Sequence, residues 1–85
     1  MRIDYRRIRS LTARQIENAL VRDGFQLVRQ VGSHRRYMHR STRRRVTLSG
    51  TGGDTFPIPT LRSIIEKQAR WDAADLVRLG LLRDR

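Results

Sequence analysis

Cysteine is absent from the 85-residue sequence, which excludes disulfide bonds, thiol chemistry and most structural zinc sites. No run of about 18 apolar residues is present either, so we expect no membrane span. The first residues lack the apolar stretch of a secretory signal, and we therefore expect a cytoplasmic protein. A chain this short buries only about 60% of its unfolded surface, so we expect one domain without a large substrate cavity. Binding of a long polymer across an open face suits this size better than enclosure of a small molecule.

Acidic residues are scarce, with 8 against 19 basic residues and a net charge of +11. The excess is uneven, because residues 1–45 carry a net +10 and residues 46–85 only +1. Lysine is nearly absent as well: Lys67 is the one basic residue that is not arginine. Arginine binds phosphate bidentately, whereas lysine acts as a point charge. This charge predicts a polyanion partner. An acidic protein or an anionic membrane surface would supply the same complement.

The amino-terminal residues 1–10 contain four arginines and show no periodicity, which is typical of a flexible basic arm or an irregular lead-in. A helix over 13–23 is predicted from a capping box formed by Thr12 and Gln15. Gly24 then provides the stop at the carboxyl end of this helix. We therefore expect an arm over 1–10 and a single domain over 11–85.

Three short β-rich segments follow, over residues 25–31, 35–40 and 44–48, and their spacing predicts an antiparallel meander. In the third segment, alternation predicts that Val46 and Leu48 face the core while Arg45 and Thr47 face outward. In the middle segment, Tyr37 argues for one buried face and Met38 for the other, so the pattern leaves its orientation open.

Two helices complete the predicted order. Proline at 57 and 59 precedes an apolar face made of Leu61, Ile64, Ile65 and Ala69. A short third helix starts at Asp72, capped by Asp75, with Trp71 packed in the core as its hydrophobic staple. The sequence thus predicts an α+β domain with a three-stranded antiparallel sheet, helices on one face and a short extra carboxyl-terminal helix.

His34 is the leading candidate for chemistry. It follows the turn residues Gly32 and Ser33 and precedes Arg35 and Arg36. An imidazole, with a pKa of about 6.5, exchanges a proton near neutrality. RNA carries its own nucleophile, the 2′-hydroxyl, so cleavage needs a base, an acid and cations on the phosphorane. Judged from the residues alone, a surface histidine in a turn is the commoner outcome, and both interpretations stay open.

The second histidine, His39, lies five positions on, so on one continuous strand the two rings face opposite sides and share no metal. We expect His39 to be structural or a peripheral RNA contact. The surrounding arginines would follow a phosphate backbone; they are Arg35, Arg36, Arg40, Arg43, Arg44 and Arg45. Tyr37 would stack on a base or pack in the core. Ser33 would shape the turn or donate to phosphate.

Several motifs taken together resemble the HicA family of toxins, also called YcfA-like proteins, from bacterial toxin–antitoxin pairs. The resemblance covers about residues 11–80 and rests on Asp23-Gly24-Phe25, Val28-Arg29-Gln30, Gly32-Ser33-His34, Arg44-Arg45-Val46-Thr47, Ile58-Pro59 and Thr60-Leu61-Arg62-Ser63-Ile64. It implies an α-β-β-β-α fold like that of the double-stranded-RNA-binding domain.

The same resemblance implies a metal-independent endoribonuclease that cleaves mRNA with His34 as acid or base and is neutralised by a HicB-like antitoxin. On this reading Ser33, Arg35, Arg36 and Arg45 would bind RNA phosphate, and neither a metal, a membrane nor a small-molecule cofactor is expected. The sequence departs from many relatives in having Ser49-Gly50-Thr51 where they carry a histidine, and in its arginine-rich first ten residues. A non-catalytic RNA-binding module and a pure protein-interaction domain remain the alternatives.

Overall fold

The computed structural model describes residues 2–83. Its elements follow the predicted order, with a short 3₁₀ turn at Tyr5–Arg7 added at the start. The helices and strands are α1 (Ala13–Asp23), β1 (Phe25–Val31), β2 (His34–His39), β3 (Arg45–Leu48), α2 (Ile58–Arg62, extended by a π-helical segment, Ser63–Gln68) and α3 (Ala73–Arg78). Among the described residues, no helix is both long and apolar enough to cross a membrane.

The ends of α1 match their sequence signals. The Thr12 hydroxyl accepts a hydrogen bond from the Gln15 backbone N–H (3.2 Å), and the Gln15 side chain accepts one from the Thr12 N–H (2.9 Å). This capping box satisfies N–H groups that have no partner within the helix. At the other end Gly24 has φ +104°, a left-handed conformation that glycine adopts without steric cost.

The three strands form an antiparallel sheet in the order β1-β2-β3. Val46 and Leu48 are fully buried and Arg45 and Thr47 are exposed, as predicted. Tyr37 is only 5% exposed, which settles the orientation of β2 that the sequence left open. The helices cover this inner face, and their buried side chains join Tyr37 in one core. The predicted α+β architecture is confirmed.

The lead-in to α1 is packed against the body of the domain. Tyr5 and Ile8 are buried in the common core, and the Tyr5 hydroxyl donates a hydrogen bond to Glu66. Tyr5 and Ile8 thus contribute to the core, which agrees better with the irregular lead-in than with the flexible arm. The division into an arm over 1–10 and a domain over 11–85 stays a prediction.

The second predicted helix changes character halfway. It is α-helical only to Arg62, and in the following turn the Ala69 N–H reaches back five residues to the Ile64 carbonyl (2.8 Å). A π-helical turn is wider than an α-helical one and rotates the side chains that follow it. Here it lets Ile64, Ile65 and Ala69 all be buried. Trp71 is buried beyond it, as predicted, and Asp72 caps α3.

Candidate nucleic-acid interface

Side chains alternate cleanly between the two faces of β2. Arg35 and Tyr37 are buried against the helices, whereas His34 and Arg36 are exposed on the opposite, outer face of the sheet. Arg36 pairs across the sheet with Arg29 on β1 and with Thr47 on β3. The outer face therefore carries His34 near one end and arginines farther along the strands.

His34 opens β2 directly after a two-residue turn. Gly32, the first of the two turn residues, has φ +59°, the conformation that a tight hairpin turn with glycine in this place requires. The Gln30 side-chain amide donates a hydrogen bond to the Gly32 carbonyl (3.1 Å) and braces the turn. Ser33 and His34 are both exposed at this end of the sheet. An imidazole in this position is accessible to a macromolecular substrate.

Arg35 lies on the inner face and is only 5% exposed, although the sequence placed it in the phosphate-binding set. Its guanidinium donates to the carbonyls of Ser33 (3.2 Å) and Gly50 (2.7 Å), and its Nε lies 2.6 Å from a Glu17 carboxylate oxygen. The two hydrogen bonds tie the turn before His34 to the loop after β3, and the ion pair with Glu17 ties β2 to α1. Because the guanidinium is buried and already bound to these partners, Arg35 is not exposed to a phosphate.

Tyr37 is part of the same inner cluster. Its hydroxyl donates to Glu17 (2.6 Å), and burial together with this bond raises the pKa of Tyr37 to about 12. Of the two interpretations of Tyr37, packing in the core is correct, and its ring is not available to stack on a base.

His39 has a structural position, as the first of its two interpretations proposed. Its Nε2 lies 2.6 Å from the Asp23 carbonyl, and its Nδ1 accepts from the backbone N–H groups of Ser41 (3.1 Å) and Thr42 (3.2 Å). The ring also packs edge-on against Phe25, with 5.0 Å between centroids. His34 and His39 face opposite sides of the sheet, as their spacing predicted. Since both nitrogens of His39 are engaged, only His34 offers a free imidazole.

Asp23 joins several segments behind the sheet. Its carboxylate accepts from the Trp71 indole (2.8 Å), from Arg44 (3.3 Å) and from Arg78 (2.9 Å). Burial raises the pKa of Asp23, but the bonds from Trp71 and Arg78 and the charges of Arg78 and Arg44 outweigh it and hold the pKa below its ordinary value. The Arg44 guanidinium also lies over the Phe25 ring, 5.1 Å from its centroid. Arg44 therefore stabilises the fold and is not a surface phosphate ligand.

Within residues 2–83, the arginines of the strands that lie on the outer face have no acidic neighbour; they are Arg29, Arg36 and Arg45. None of the ion pairs of residues 2–83 includes them. The sequence explains this, because residues 25–53 contain no aspartate or glutamate. Arg29 was not singled out from the sequence: the pairing register shifts between Leu27 and Arg29, and local alternation does not reveal such a bulge.

Metal-ligating side chains do not cluster near His34. Within residues 2–83 there is no group of three or more histidine, cysteine, aspartate or glutamate side chains that could hold an ion. The polar groups that the structure does bring together at this end are the His34 imidazole, the Ser33 hydroxyl and the arginines of the outer face. Such a set can donate hydrogen bonds to phosphate oxygens and exchange one proton.

Neighbouring arginines on β2 provide a matched test of these assignments. We expect Arg35→Met to lower the free energy of unfolding by roughly 2–3 kcal/mol, because it leaves two carbonyls without their donor and the Glu17 carboxylate without its ion-pair partner. Arg36→Met should change stability by less than about 0.5 kcal/mol but reduce the salt dependence of RNA binding by about 0.7 in log–log slope, the value for one phosphate contact. Urea unfolding and binding titrations at several salt concentrations measure both. A reduced slope in Arg35→Met, with unchanged stability, would contradict the assignment.

Comparison with known proteins identifies a family. A family model described as "HicA toxin of bacterial toxin-antitoxin" matches residues 13–71. No curated protein and no solved structure matches the chain. The matched region includes α1, the whole sheet, α2 and its π-helical extension, and so it contains every residue of the outer face described above.

Proposed function

The chain belongs to the HicA family of toxins from bacterial toxin–antitoxin systems. We propose that it is an endoribonuclease that cleaves mRNA with His34 as the acid or base. The observation that carries this proposal is the position of His34. It is an exposed imidazole at the end of a sheet face whose arginines have no carboxylate partners. Such a face attracts a polyanion and places a proton-transfer group beside it.

The proposed reaction uses the nucleophile of the substrate itself. The 2′-oxygen attacks the adjacent phosphorus while its proton passes to a base, and the bond from phosphorus to the 5′-oxygen breaks as that oxygen takes up a proton. The products are a 2′,3′-cyclic phosphate and a 5′-hydroxyl end. Ser33, Arg36 and Arg45 would donate hydrogen bonds to the phosphate, and the arginines would offset the charge that develops on the phosphorane.

A single imidazole has to serve this reaction. The chain has two histidines, and the ring of His39 lies on the inner face with both nitrogens engaged. His34 would therefore act as base or acid, with water or the phosphate itself exchanging the other proton. Arg35 would act as a positioning residue, since it holds the carbonyl of Ser33, the residue immediately before His34.

The antitoxin is the second partner. A toxin of this family belongs to a two-component system, and we propose a HicB-like protein that covers the outer face. An acidic surface would complement the unpaired arginines there and keep RNA from His34. This partner and mRNA would then compete for the same side chains.

A non-catalytic RNA-binding module is the second candidate function. One observation favours it: among the side-chain hydrogen bonds of residues 2–83, none near the turn involves the His34 ring and would orient it. Catalytic imidazoles are commonly oriented by a partner on the second nitrogen. Here the substrate phosphate would have to supply that contact.

Incubation of the purified protein with RNA in EDTA separates these functions. We expect cleavage to continue in EDTA and to yield 2′,3′-cyclic phosphate and 5′-hydroxyl ends, identified by end-group analysis. An RNA with 2′-O-methyl groups should be bound but not cut, because its nucleophile is blocked. Binding without products would support the second candidate. Activity that is lost in EDTA and restored by Mg²⁺ would contradict the metal-independent mechanism.

A further inference from the structure

A shallow groove of about 520 Å³ crosses the outer face of the sheet, away from the helices. Two apolar side chains contribute to it from neighbouring strands, and polar or cationic side chains surround them. Residues that line the groove include Val28, Arg29, Arg36, Met38, Arg45 and Thr47. The volume of the groove is within the range of sites that hold small organic molecules. The groove therefore suits one nucleotide better than a duplex.

The charges along the groove call for an anionic ligand. Arg29 and Arg36 lie directly opposite each other on β1 and β2, an arrangement that is destabilising for like charges. Arg45 lies opposite Met38 on the far side of the groove. No carboxylate in residues 25–53 offsets these charges. The phosphates on either side of a bound nucleotide would neutralise the arginine charges.

The apolar part of the groove distinguishes an unpaired base from a duplex. Val28 is 54% exposed although it is a large apolar residue, and Met38 is half-buried beside it. A duplex keeps its bases stacked and presents phosphates and 2′-hydroxyls. These polar groups are not stabilised by contact with an apolar surface. A base in a single strand is free to lie on it, with arginine guanidinium planes available for stacking.

The position of the groove relates it to His34. Arg36 lies two residues from His34 on the same face of β2, which places the two Cα atoms about 6.6 Å apart along the strand. A nucleotide whose phosphate is held by Arg36 would thus have its neighbouring phosphate near the imidazole. We propose that the groove binds one unpaired nucleotide next to the cleaved bond, and that the chain therefore acts on single-stranded RNA. This inference rests on the proposed function for the placement beside a cleaved bond.

The test measures binding in a His34→Ala background, where no cleavage interferes. The probes are a fluorescein-labelled single-stranded RNA of roughly eight nucleotides and a blunt duplex of the same sequence, followed by anisotropy. We expect Val28→Ser with Met38→Ser to weaken single-strand binding about tenfold and to leave duplex binding unchanged, from the loss of about 1.4 kcal/mol of apolar contact. Arg36→Ala should weaken both and lower the salt slope.

Matched controls are available on α1. Val21 is 62% exposed and Arg22 is exposed, so Val21→Ser matches Val28→Ser and Arg22→Ala matches Arg36→Ala on another surface. Thermal unfolding of each variant shows whether it is folded. The inference is overturned if Val21→Ser has the same effect as the groove variants, if the duplex binds more tightly than the single strand, or if the groove variants weaken only the binding of an acidic antitoxin.

The outcomes also separate this inference from the proposed function. If the protein with His34 cuts RNA and the groove variants cut and bind it equally well, the subsite is wrong and the nuclease stands. If the groove variants lose single-strand binding but the protein with His34 produces no cleavage, the proposed reaction is wrong. The groove is then a nucleotide-binding site that is not part of a nuclease site.

Discussion

The His34→Ala variant is expected to lose RNA cleavage by a factor of about 10²–10⁴, the usual contribution of general acid–base catalysis, and to lose growth arrest with it. The His34 side chain is exposed, so its removal costs the fold little. The thermal midpoint should therefore stay within about 2 °C of the unsubstituted protein. Single-turnover cleavage assays and thermal unfolding measure the two effects.

The other histidine is the matched control for this experiment. His39→Ala removes the contacts of both ring nitrogens with the Asp23 carbonyl and the backbone after β2. We expect it to lower stability by roughly 1–3 kcal/mol, and to leave cleavage nearly unchanged at a temperature where the variant is folded. If a clean preparation of His34→Ala cuts RNA at the original rate, or if only His39→Ala abolishes cleavage, His34 is not the catalytic group.

Removal of the Asp23 carboxylate should have the largest effect on stability. We expect Asp23→Ala to lower the free energy of unfolding by roughly 3 kcal/mol, because the Trp71 indole, Arg44 and Arg78 all lose their shared acceptor. For a domain of this size the thermal midpoint would fall by roughly 12–24 °C. Asp4→Ala is the control, since the exposed Asp4 pairs only with Arg6 in the described residues; we expect a much smaller loss of stability than in Asp23→Ala. Similar losses in both variants would contradict the role given to Asp23.

The same carboxylate makes stability depend on pH in a defined direction. The pKa of Asp23 is lower in the folded protein than its ordinary value of about 3.9. Its stabilisation is therefore fully present above that pH and is lost as the pH falls through the folded pKa. Urea unfolding between pH 3 and 7 should show this decline below about pH 4, and the decline should be smaller in Asp23→Asn.

Local signals in the sequence were sufficient for the elements of the fold. The capping residues Thr12 and Asp72 set the starts of α1 and α3, and alternation in β3 assigned Val46 and Leu48 to the core. Such signals act within about four residues of one another, so they can be read without the tertiary structure. The π-helical turn after Arg62 was not visible in this way, because it depends on which isoleucines the core accommodates.

The sequence alone determined that the chain is a basic α+β domain with His34 at a hairpin turn. Only the tertiary structure decided which arginines lack a carboxylate partner and are available to an anion. Arg35 is buried and Arg44 is half-buried, because Glu17 and Asp23, distant in sequence, provide their carboxylates. Arg29, which the sequence did not single out, joins Arg36 on the outer face because of a bulge in β1. A guanidinium has the same chemistry in every position, and only the partner that folding places beside it determines whether it supports the core or remains available to an anion.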